Sequence, residues 1–310
     1  MHQGLHCKCV LDTPVGCRHD IASNPTRVSP MQRTVSAPAK VNLILDVVGK
    51  RPDGYHDVAM LMVRLSLHDR VRVALTSGDQ IAVACPGLEL AAGEQNLAAR
   101  AARLFLDHNR VKAGISIAID KQIPAAAGLG GGSSDAAAVL LALDDLLGTG
   151  LSRAELQSLG VRLGADVPFF LCGEMAAWAN GIGEVLKPWR ALPLCHLVLV
   201  NPRFAVSTAW VYQNLVLTRC RRMTKIPGFP EKMEDVAALL HNDLEAVTSA
   251  RHPEINMIKG RLVEAGALGT LMSGSGPTVF GVFAGQAVAE DVAAQLAFGT
   301  GWWTAAVSPV

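Results

Sequence analysis

The sequence predicts a mixed chain of strands and helices in two domains. Its 310 residues are more than one compact core usually holds, so two domains are expected. Alternating apolar residues predict strands, as over Val41–Val47, and an amphipathic pattern predicts a helix from Asn96 to Leu106, with Asn96 near its N-cap. A glycine-rich loop, Gly128–Gly132, joins a strand to a helix, and the chain is organised around it.

The composition argues against several classes of protein. Lys and Arg total 28 against 27 for Asp and Glu, so the net charge of +1 gives no reason to expect nucleic acid or an anionic membrane surface as a partner. The apolar runs are too short to span a membrane. Seven scattered cysteines, in a chain without a secretory signal, indicate reduced thiols and a cytoplasmic location.

Residues 1–33 differ from the rest of the chain because they show no hydrophobic period. We predict that they form a disordered extension, and Met31 could be the true start of translation. A zinc site remains an alternative, although its spacing matches no standard zinc finger. Its ligands would come from His6, Cys7, Cys9, Cys17 and His19.

The first strand carries two polar residues of interest. Alternation over Val41–Val47 predicts a half-buried strand, and Lys40 and Asn42 lie on the same face at its start. A turn with Pro and Asp-Gly signals follows at Gly49–Gly54. Tyr55, directly after the turn, is either an aromatic plug on a strand or a ligand contact.

The glycine-rich loop is a candidate phosphate site. It follows an alternating strand, Ile115–Ile119, and opens a helix that ends at Gly148. Ser133, Ser134 and Asp135 are N-cap residue types, so we expect the helix to begin there. The free N–H groups and the helix dipole would stabilise a phosphate. The loop matches neither a Walker A loop nor a dinucleotide fingerprint, and a simple tight connection is the alternative.

Asp166 is an acid among small and apolar residues, Gly164–Phe170. It follows a helix that begins with a capping box at Ser152 and Glu155. One interpretation is that Asp166 caps the segment that Pro168 begins. The other is a carboxylate in a partly desolvated site, where it could accept a proton.

The second half of the chain begins with a change in composition at Lys187–Pro193, where we place a domain boundary. Ser207 is the predicted N-cap of a helix that carries Thr208 and Tyr212 on one face. A second glycine-rich loop, Met272–Thr278, leads into an apolar strand. This loop could offer N–H groups and hydroxyls to a ligand, or it could be a simple turn.

Taken together, three separated motifs resemble those of the GHMP kinases, the small-molecule kinases named after galactose, homoserine, mevalonate and phosphomevalonate. The three motifs are Pro38–Leu43, Pro124–Ser134 and Gly274–Thr278. Their order and spacing match those of the family from about Thr34 onward. Two further stretches resemble the branch that acts on 4-diphosphocytidyl-2-C-methylerythritol. They are Gly49–His56 and Leu163–Phe169.

The resemblance implies an α+β fold of two domains. Residues 34–187 would form an ATP-binding domain like ribosomal protein S5 domain 2, and residues 188–310 a ferredoxin-like substrate domain. The implied reaction is ATP-dependent phosphorylation of the 2-hydroxyl of 4-diphosphocytidyl-2-C-methylerythritol, in the non-mevalonate route to isoprenoid precursors. Mg²⁺ is expected with ATP, and we expect a monomer or weak homodimer.

The resemblance also implies roles for individual residues. Asp166 would take or orient the proton of the substrate hydroxyl, and Lys40 would stabilise charge. Tyr55 and Tyr212 would sandwich the cytosine, and His56 would hydrogen-bond it. The full set of substrate-binding residues is Asn42, Tyr55, His56, Thr208 and Tyr212. The nucleotide would contact Asn96, Lys121, Pro124, Gly128, Gly130, Gly131, Gly132, Ser133 and Ser134. The metal ligands stay unassigned, with Ser133, Ser134 and Asp135 as candidates.

Two other functions remain open. The first is another GHMP kinase of the homoserine or mevalonate type, against which the Tyr55–His56 pair argues. The second is a nucleotide-binding sensor that has lost catalysis, against which the presence of both Lys40 and Asp166 argues.

Overall fold

A computed structural model describes residues 31–87, 96–189, 192–217, 228 and 230–310. The strands are β1 (Gln32–Lys50), β2 (His56–Thr76), β3 (Ile81–Ala84), β4 (Gly114–Asp120), β5 (Ala176–Asn180), β6 (Val185–Pro188), β7 (His196–Asn201), β8 (His241–Asn242), β9 (Gly269–Met272), β10 (Val279–Phe283) and β11 (Trp303–Val307). The helices are α1 (Leu97–Asn109), α2 (Gly131–Leu147), α3 (Arg153–Val161), α4 (Val167–Leu171), α5 (Thr208–Gln213), α6 (Met233–Leu239), α7 (Glu245–Arg251), α8 (Glu254–Glu264) and α9 (Gln286–Ala297).

The start of the chain is described only from Met31. The predicted disorder of residues 1–30 and the alternative zinc site therefore lie outside the described residues. Gln32 and Arg33 lie within the predicted disordered extension but pair with Ala74 and Val73 of β2, so the prediction is wrong for these two residues. Strand β1 thus begins slightly before Thr34. None of the helices in the described segments combines the length and the hydropathy needed to cross a bilayer.

Two sheets organise the described residues. The first has the order β3-β4-β2-β1-β8, with β5 and β6 attached to β2, and the second has the order β11-β7-β10-β9. In the second sheet all pairs are antiparallel. Counted along the chain, its strands have the order 4-1-3-2 of a β-α-β-β-α-β unit. The predicted α+β fold, with a ferredoxin-like second layer, is confirmed.

Strand β1 is buried on both faces from Val41 to Val47, so the predicted half-buried strand is wrong. Leu45 shares a core cluster with the alanines of α2, whereas Leu43 shares another with Leu199 of the second sheet. Helices cover one face of the first sheet, and the second sheet covers the other. Apolar burial on both faces is what holds the two layers together.

The predicted helix ends were mostly right. Asn96 and Ser207 accept hydrogen bonds from backbone N–H groups as predicted N-caps, and Ser152 forms its capping box with Glu155. Gly148 ends α2 in the left-handed conformation. The predicted start of α2, however, is wrong.

Helix α2 begins at Gly131, before the serines that were expected to cap it. Gly130 adopts a φ of +70°, which glycine tolerates without the steric cost of a side chain. The chain therefore enters the helix early, and Ser133 and Ser134 lie in its first turn.

A buried carboxylate fixes the approach to the glycine-rich loop. Asp69 of β2 is fully buried and accepts hydrogen bonds from the N–H groups of Gln122 at 2.6 Å and Ile123 at 2.8 Å. It also pairs with Lys121, whose Nζ lies 2.9 Å from Oδ2 of Asp135 in α2. Asp69 thus holds β2 to the segment before the loop, and Lys121 links that segment to α2 after the loop.

We expect Asp69→Ala to lower the free energy of unfolding by about 3–5 kcal/mol, because it leaves two N–H groups without their acceptor and removes one of the two carboxylates that pair with Lys121. Urea denaturation measures the loss. Asp120→Ala is the matched control, since Asp120 is an exposed carboxylate that accepts only one described hydrogen bond, a side-chain contact from Gln122. Equal stability of the two variants would contradict this role of Asp69.

Candidate active site

The two glycine-rich loops contact each other directly. A Cβ on Gly128, whose φ is +77°, would collide with the carbonyl oxygen of Ser273. The Ser273 hydroxyl donates to the Gly128 carbonyl at 3.0 Å, and the N–H of Thr278 donates to the Ala127 carbonyl at 3.3 Å. Segments far apart in the sequence therefore form one wall of a site.

The N-terminus of α2 is open on one side. Gly132 is exposed, and a Cβ there would have no atom within 4 Å. The first N–H groups of a helix have no partner within the helix, and they carry the positive end of its dipole. The first turn of this helix therefore presents N–H groups beside open space, which is a suitable place for a phosphate.

Lys40 and Asp166 form an ion pair beside this helix end. The Nζ of Lys40 lies 3.4 Å from Oδ2 of Asp166 and donates to Oδ1 of Asn42 at 2.7 Å. The Lys40 side chain is 6% exposed and that of Asp166 is 29% exposed. Asp166 occupies the N-cap position of α4, but its side chain makes no capping hydrogen bond. The interpretation of Asp166 as a cap is therefore wrong.

Gly130 holds the loop close to Lys40. The Lys40 N–H donates to the Leu129 carbonyl at 2.9 Å. A Cβ on Gly130 would lie 3.0 Å from both Cγ of Lys40 and Cζ of Phe170. The loop, the lysine and α4 therefore pack without space for a larger residue at position 130.

An aromatic pair lies near the ion pair. The rings of His56 and Tyr212 stack with centroids 5.0 Å apart. Burial, with the nearby Asp166 carboxylate as a second cause, raises the pKa of Tyr212. Burial and the charge of Lys50 lower the pKa of His56, which favours the neutral imidazole. Tyr55 is 60% exposed and precedes β2, so the plug interpretation is wrong.

Two further predicted substrate residues face the same region. The Thr208 hydroxyl lies 2.8 Å from that of Ser275 in the second glycine-rich loop. Asn42 is fully buried and donates through Nδ2 to Sδ of Met60 at 3.4 Å. The structure thus brings Thr208 to the loop wall and Asn42 to the ion pair.

The predicted adenosine contacts are engaged in the fold. Asn96 caps α1, and Lys121 pairs with Asp69 and Asp135. A Cβ on Gly131 would lie 3.2 Å from Nζ of Lys121, so this lysine packs against the start of α2. Burial raises the pKa of Asp135 to about 6, and the charge of Lys121 limits the rise.

The site also depends on two residues that the sequence analysis missed. Arg64 donates through Nη2 to the carbonyls of Phe169 at 2.9 Å and Phe170 at 2.8 Å, and so holds the end of α4. Asn242 donates to the carbonyls of Met272 and Gly274, each at 2.8 Å. A charged residue inside the apolar run of β2 could have indicated Arg64, whereas Asn242 gave no such signal.

The residues near α2 fit the Mg²⁺ that the resemblance implies. Mg²⁺ bound with nucleotide phosphates usually needs only one or two protein oxygens. The hydroxyl of Ser134 and Oδ1 of Asp135 are buried and, among the described residues, have no hydrogen-bond partner. Ser133 is partly exposed, and its Oγ would lie 3.9 Å from a Cβ on Gly164. Of the three candidates, Ser133 is the most accessible to a metal carried by phosphates.

Comparisons with known proteins agree with this geometry. The family model described as GHMP kinases N terminal domain matches residues 96–174, and the one described as GHMP kinases C terminal matches residues 227–299. A 4-diphosphocytidyl-2-C-methyl-D-erythritol kinase from Syntrophotalea carbinolica is 53% identical over 274 residues, which are 88% of this chain and 98% of the relative.

Solved structures give the same result. A crystal structure of 4-(cytidine 5'-diphospho)-2C-methyl-D-erythritol kinase superposes with a TM-score of 0.70 at 38% identity, covering 89% of this chain and 98% of that one. A homoserine kinase from Cytophaga hutchinsonii has a TM-score of 0.65 at 18% identity, covering 91% and 95%. At that identity the second likeness concerns the fold alone.

We expect Gly130→Ala to lower the free energy of unfolding by about 1–3 kcal/mol, because the new Cβ meets Lys40 and Phe170 at a positive φ. Gly132→Ala is the matched control, since its Cβ enters open space within a helix. We expect the control to be unchanged or up to about 1 kcal/mol more stable. Thermal unfolding of both variants tests the difference, and equal destabilisation would contradict the packing described for Gly130.

Proposed function

Because this chain belongs to the 4-diphosphocytidyl-2-C-methyl-D-erythritol kinase family of the GHMP kinases, we propose that it transfers the γ-phosphate of ATP to the 2-hydroxyl of 4-diphosphocytidyl-2-C-methyl-D-erythritol. The reaction belongs to the non-mevalonate route to isoprenoid precursors. The observation that carries this proposal is the 3.4 Å Lys40–Asp166 pair beside the open N-terminus of α2.

The nucleotide phosphates would lie at the first turn of α2. The N–H groups there would hold the phosphate oxygens, and Gly130, Gly131 and Gly132 would let the phosphates approach the backbone closely. Mg²⁺ would be held mainly by phosphate oxygens with the Ser133 hydroxyl, and it would neutralise phosphate charge. Asn96 and Lys121 would border the adenosine.

The proton of the acceptor hydroxyl would pass to Asp166. Phosphoryl transfer needs mainly alignment and charge neutralisation from a protein. Lys40 is placed to keep the Asp166 carboxylate oriented and to stabilise negative charge on the transferred group. The bond from Lys40 to Asn42 fixes the ammonium for both tasks.

The cytosine would bind at the aromatic pair. Ring faces offer stacking area to a pyrimidine at low cost in conformational entropy. Tyr212 would provide one face and the exposed Tyr55 would close over the other, while the neutral His56 would hydrogen-bond the base. Asn42 and Thr208 would contact the methylerythritol portion, which must lie between this pair and Asp166.

A substrate panel tests the proposal directly. The purified chain is assayed with ATP, Mg²⁺ and, in turn, the cytidine-diphospho substrate, homoserine and mevalonate. If the chain phosphorylates only homoserine or mevalonate, the fold assignment stands but the proposed substrate is wrong. If it binds ATP but phosphorylates none of the three, a nucleotide-binding sensor is favoured. We further propose that the protein acts in the cytoplasm as a monomer or weak homodimer, without nucleic acid.

Asp166→Asn should lower kcat by about 10²–10⁴-fold while ATP still binds, because the amide cannot accept the hydroxyl proton. Steady-state kinetics measures kcat, and nucleotide titration measures the affinity for ATP. Asp107→Asn, an exposed change on α1, serves as the control and should retain full kcat. A fully active Asp166→Asn enzyme would remove this residue from the mechanism.

Gly132→Ala should raise the KM for ATP about tenfold or more, since one lost phosphate contact of about 1.4 kcal/mol corresponds to a factor of ten. The same variant is expected to keep its stability, so weaker nucleotide binding could not be explained by unfolding. An unchanged KM for ATP would place the phosphates elsewhere.

A further inference from the structure

A second cluster of potential metal ligands lies where β8 joins β1. The Nε2 of His241 lies 3.1 Å from Oδ1 of Asp46 and 2.9 Å from Oδ1 of Asp243. One ligand atom from each residue falls within 4.8 Å of the others. The proposed kinase reaction uses none of these three side chains.

We propose that Asp46, His241 and Asp243 form a binding site for a first-row divalent metal ion such as Zn²⁺. With metal–ligand bonds of about 2.1 Å, ligand atoms at right angles lie about 3.0 Å apart, against about 3.4 Å in a tetrahedron. The two distances from Nε2 of His241 match the right-angled arrangement. Both distances are also those of hydrogen bonds, so an ion could take the place of the shared proton with small side-chain movements, and water would complete its shell.

The fold holds these ligands in place before any ion arrives. Asp243 accepts a hydrogen bond through Oδ2 from the Val47 N–H at 2.8 Å, and its own N–H donates to the Leu45 carbonyl at 3.0 Å. Asp46 is 3% exposed. Such supporting contacts orient a ligand and strengthen its hold on the metal.

The types of ligand atom and the solvent exposure of the cluster favour an exchangeable first-row divalent metal ion. An imidazole suits Zn²⁺ better than Mg²⁺ or Ca²⁺, and two carboxylates offset the charge of the ion. The His241 side chain is 42% exposed, so an ion can reach the cluster from solvent. The ion would replace the proton that Nε2 shares with the carboxylates, which releases that proton.

An ion here would also act on the kinase site through Asn242. This residue lies between His241 and Asp243 and donates to the carbonyls of Met272 and Gly274. Fixing β8 on β1 would therefore fix Asn242, and with it the start of the second glycine-rich loop. The metal would have a structural role, separate from the Mg²⁺ carried by ATP.

The proposal is tested by titrating the full chain with Zn²⁺ in the absence of nucleotide. Calorimetry and equilibrium dialysis measure the affinity and the number of ions bound per chain. Wild type should bind one more Zn²⁺ per chain than His241→Asn, or bind it at least 100-fold more tightly. His68→Asn is the matched control, because His68 is an exposed histidine on β2, and it should bind like wild type. Any Zn²⁺ that binds cysteines or histidines of residues 1–30 would bind equally to wild type, His241→Asn and His68→Asn, so it does not affect the comparison.

A second readout covers the case in which His241→Asn does not fold. Zn²⁺ should raise the melting temperature of wild type, and Asp243→Asn should abolish that rise. Equal Zn²⁺ uptake by wild type and the folded variants, or an equal rise in their melting temperatures, would overturn the proposal. The cluster would then be an ion pair that joins β8 to β1.

Discussion

The candidate site depends on one backbone contact, between Gly128 in the first glycine-rich loop and Ser273 in the second. No residue with a Cβ fits at Gly128, because that atom would collide with the Ser273 carbonyl. This contact brings the second sheet onto the loop that follows β4. Thr208, which meets Ser275 at 2.8 Å, reaches the site only because the two loops are joined. Asn242 supports the same arrangement by donating to the carbonyls of Met272 and Gly274 in the second loop.

The two charged residues of the ion pair, Lys40 and Asp166, differ in how far they are exposed to solvent. Lys40 is 6% exposed, and a buried ammonium is costly unless it is paired and hydrogen-bonded. Asn42 and Asp166 meet that need, while Asp166 keeps 29% of its side chain exposed and can therefore reach a substrate. A substrate that excludes water from Asp166 would strengthen every charge interaction around it. The resting protein thus holds Lys40 in place and leaves its partner accessible.

The sequence predicted those features that depend on neighbouring residues. The caps at Asn96, Ser152 and Ser207 and the end of α2 at Gly148 are local, and each was found where expected. The half-buried strand was wrong because the burial of Val41–Val47 is decided by a second sheet from the other half of the chain. Asp69, Arg64 and Asn242 were missed for a similar reason. Each acts on backbone groups far away in the sequence, and only the fold brings them together.

Selection of the substrate has to come from outside the glycine-rich loops, because the fold around them also serves kinases of quite different small molecules. His56 and Tyr212 belong to the beginning of β2 and to α5, and neither residue is part of the two glycine-rich loops. A site that hydrogen-bonds a nucleobase rejects ligands without one, since its polar groups would remain buried and unpaired. The lowered pKa of His56 adds to this, because a neutral imidazole can both donate and accept a hydrogen bond. In the proposed mechanism, specificity and phosphoryl transfer could then change independently: residues around His56 would set which alcohol enters, while Lys40 and Asp166 would act on whichever hydroxyl is placed between them.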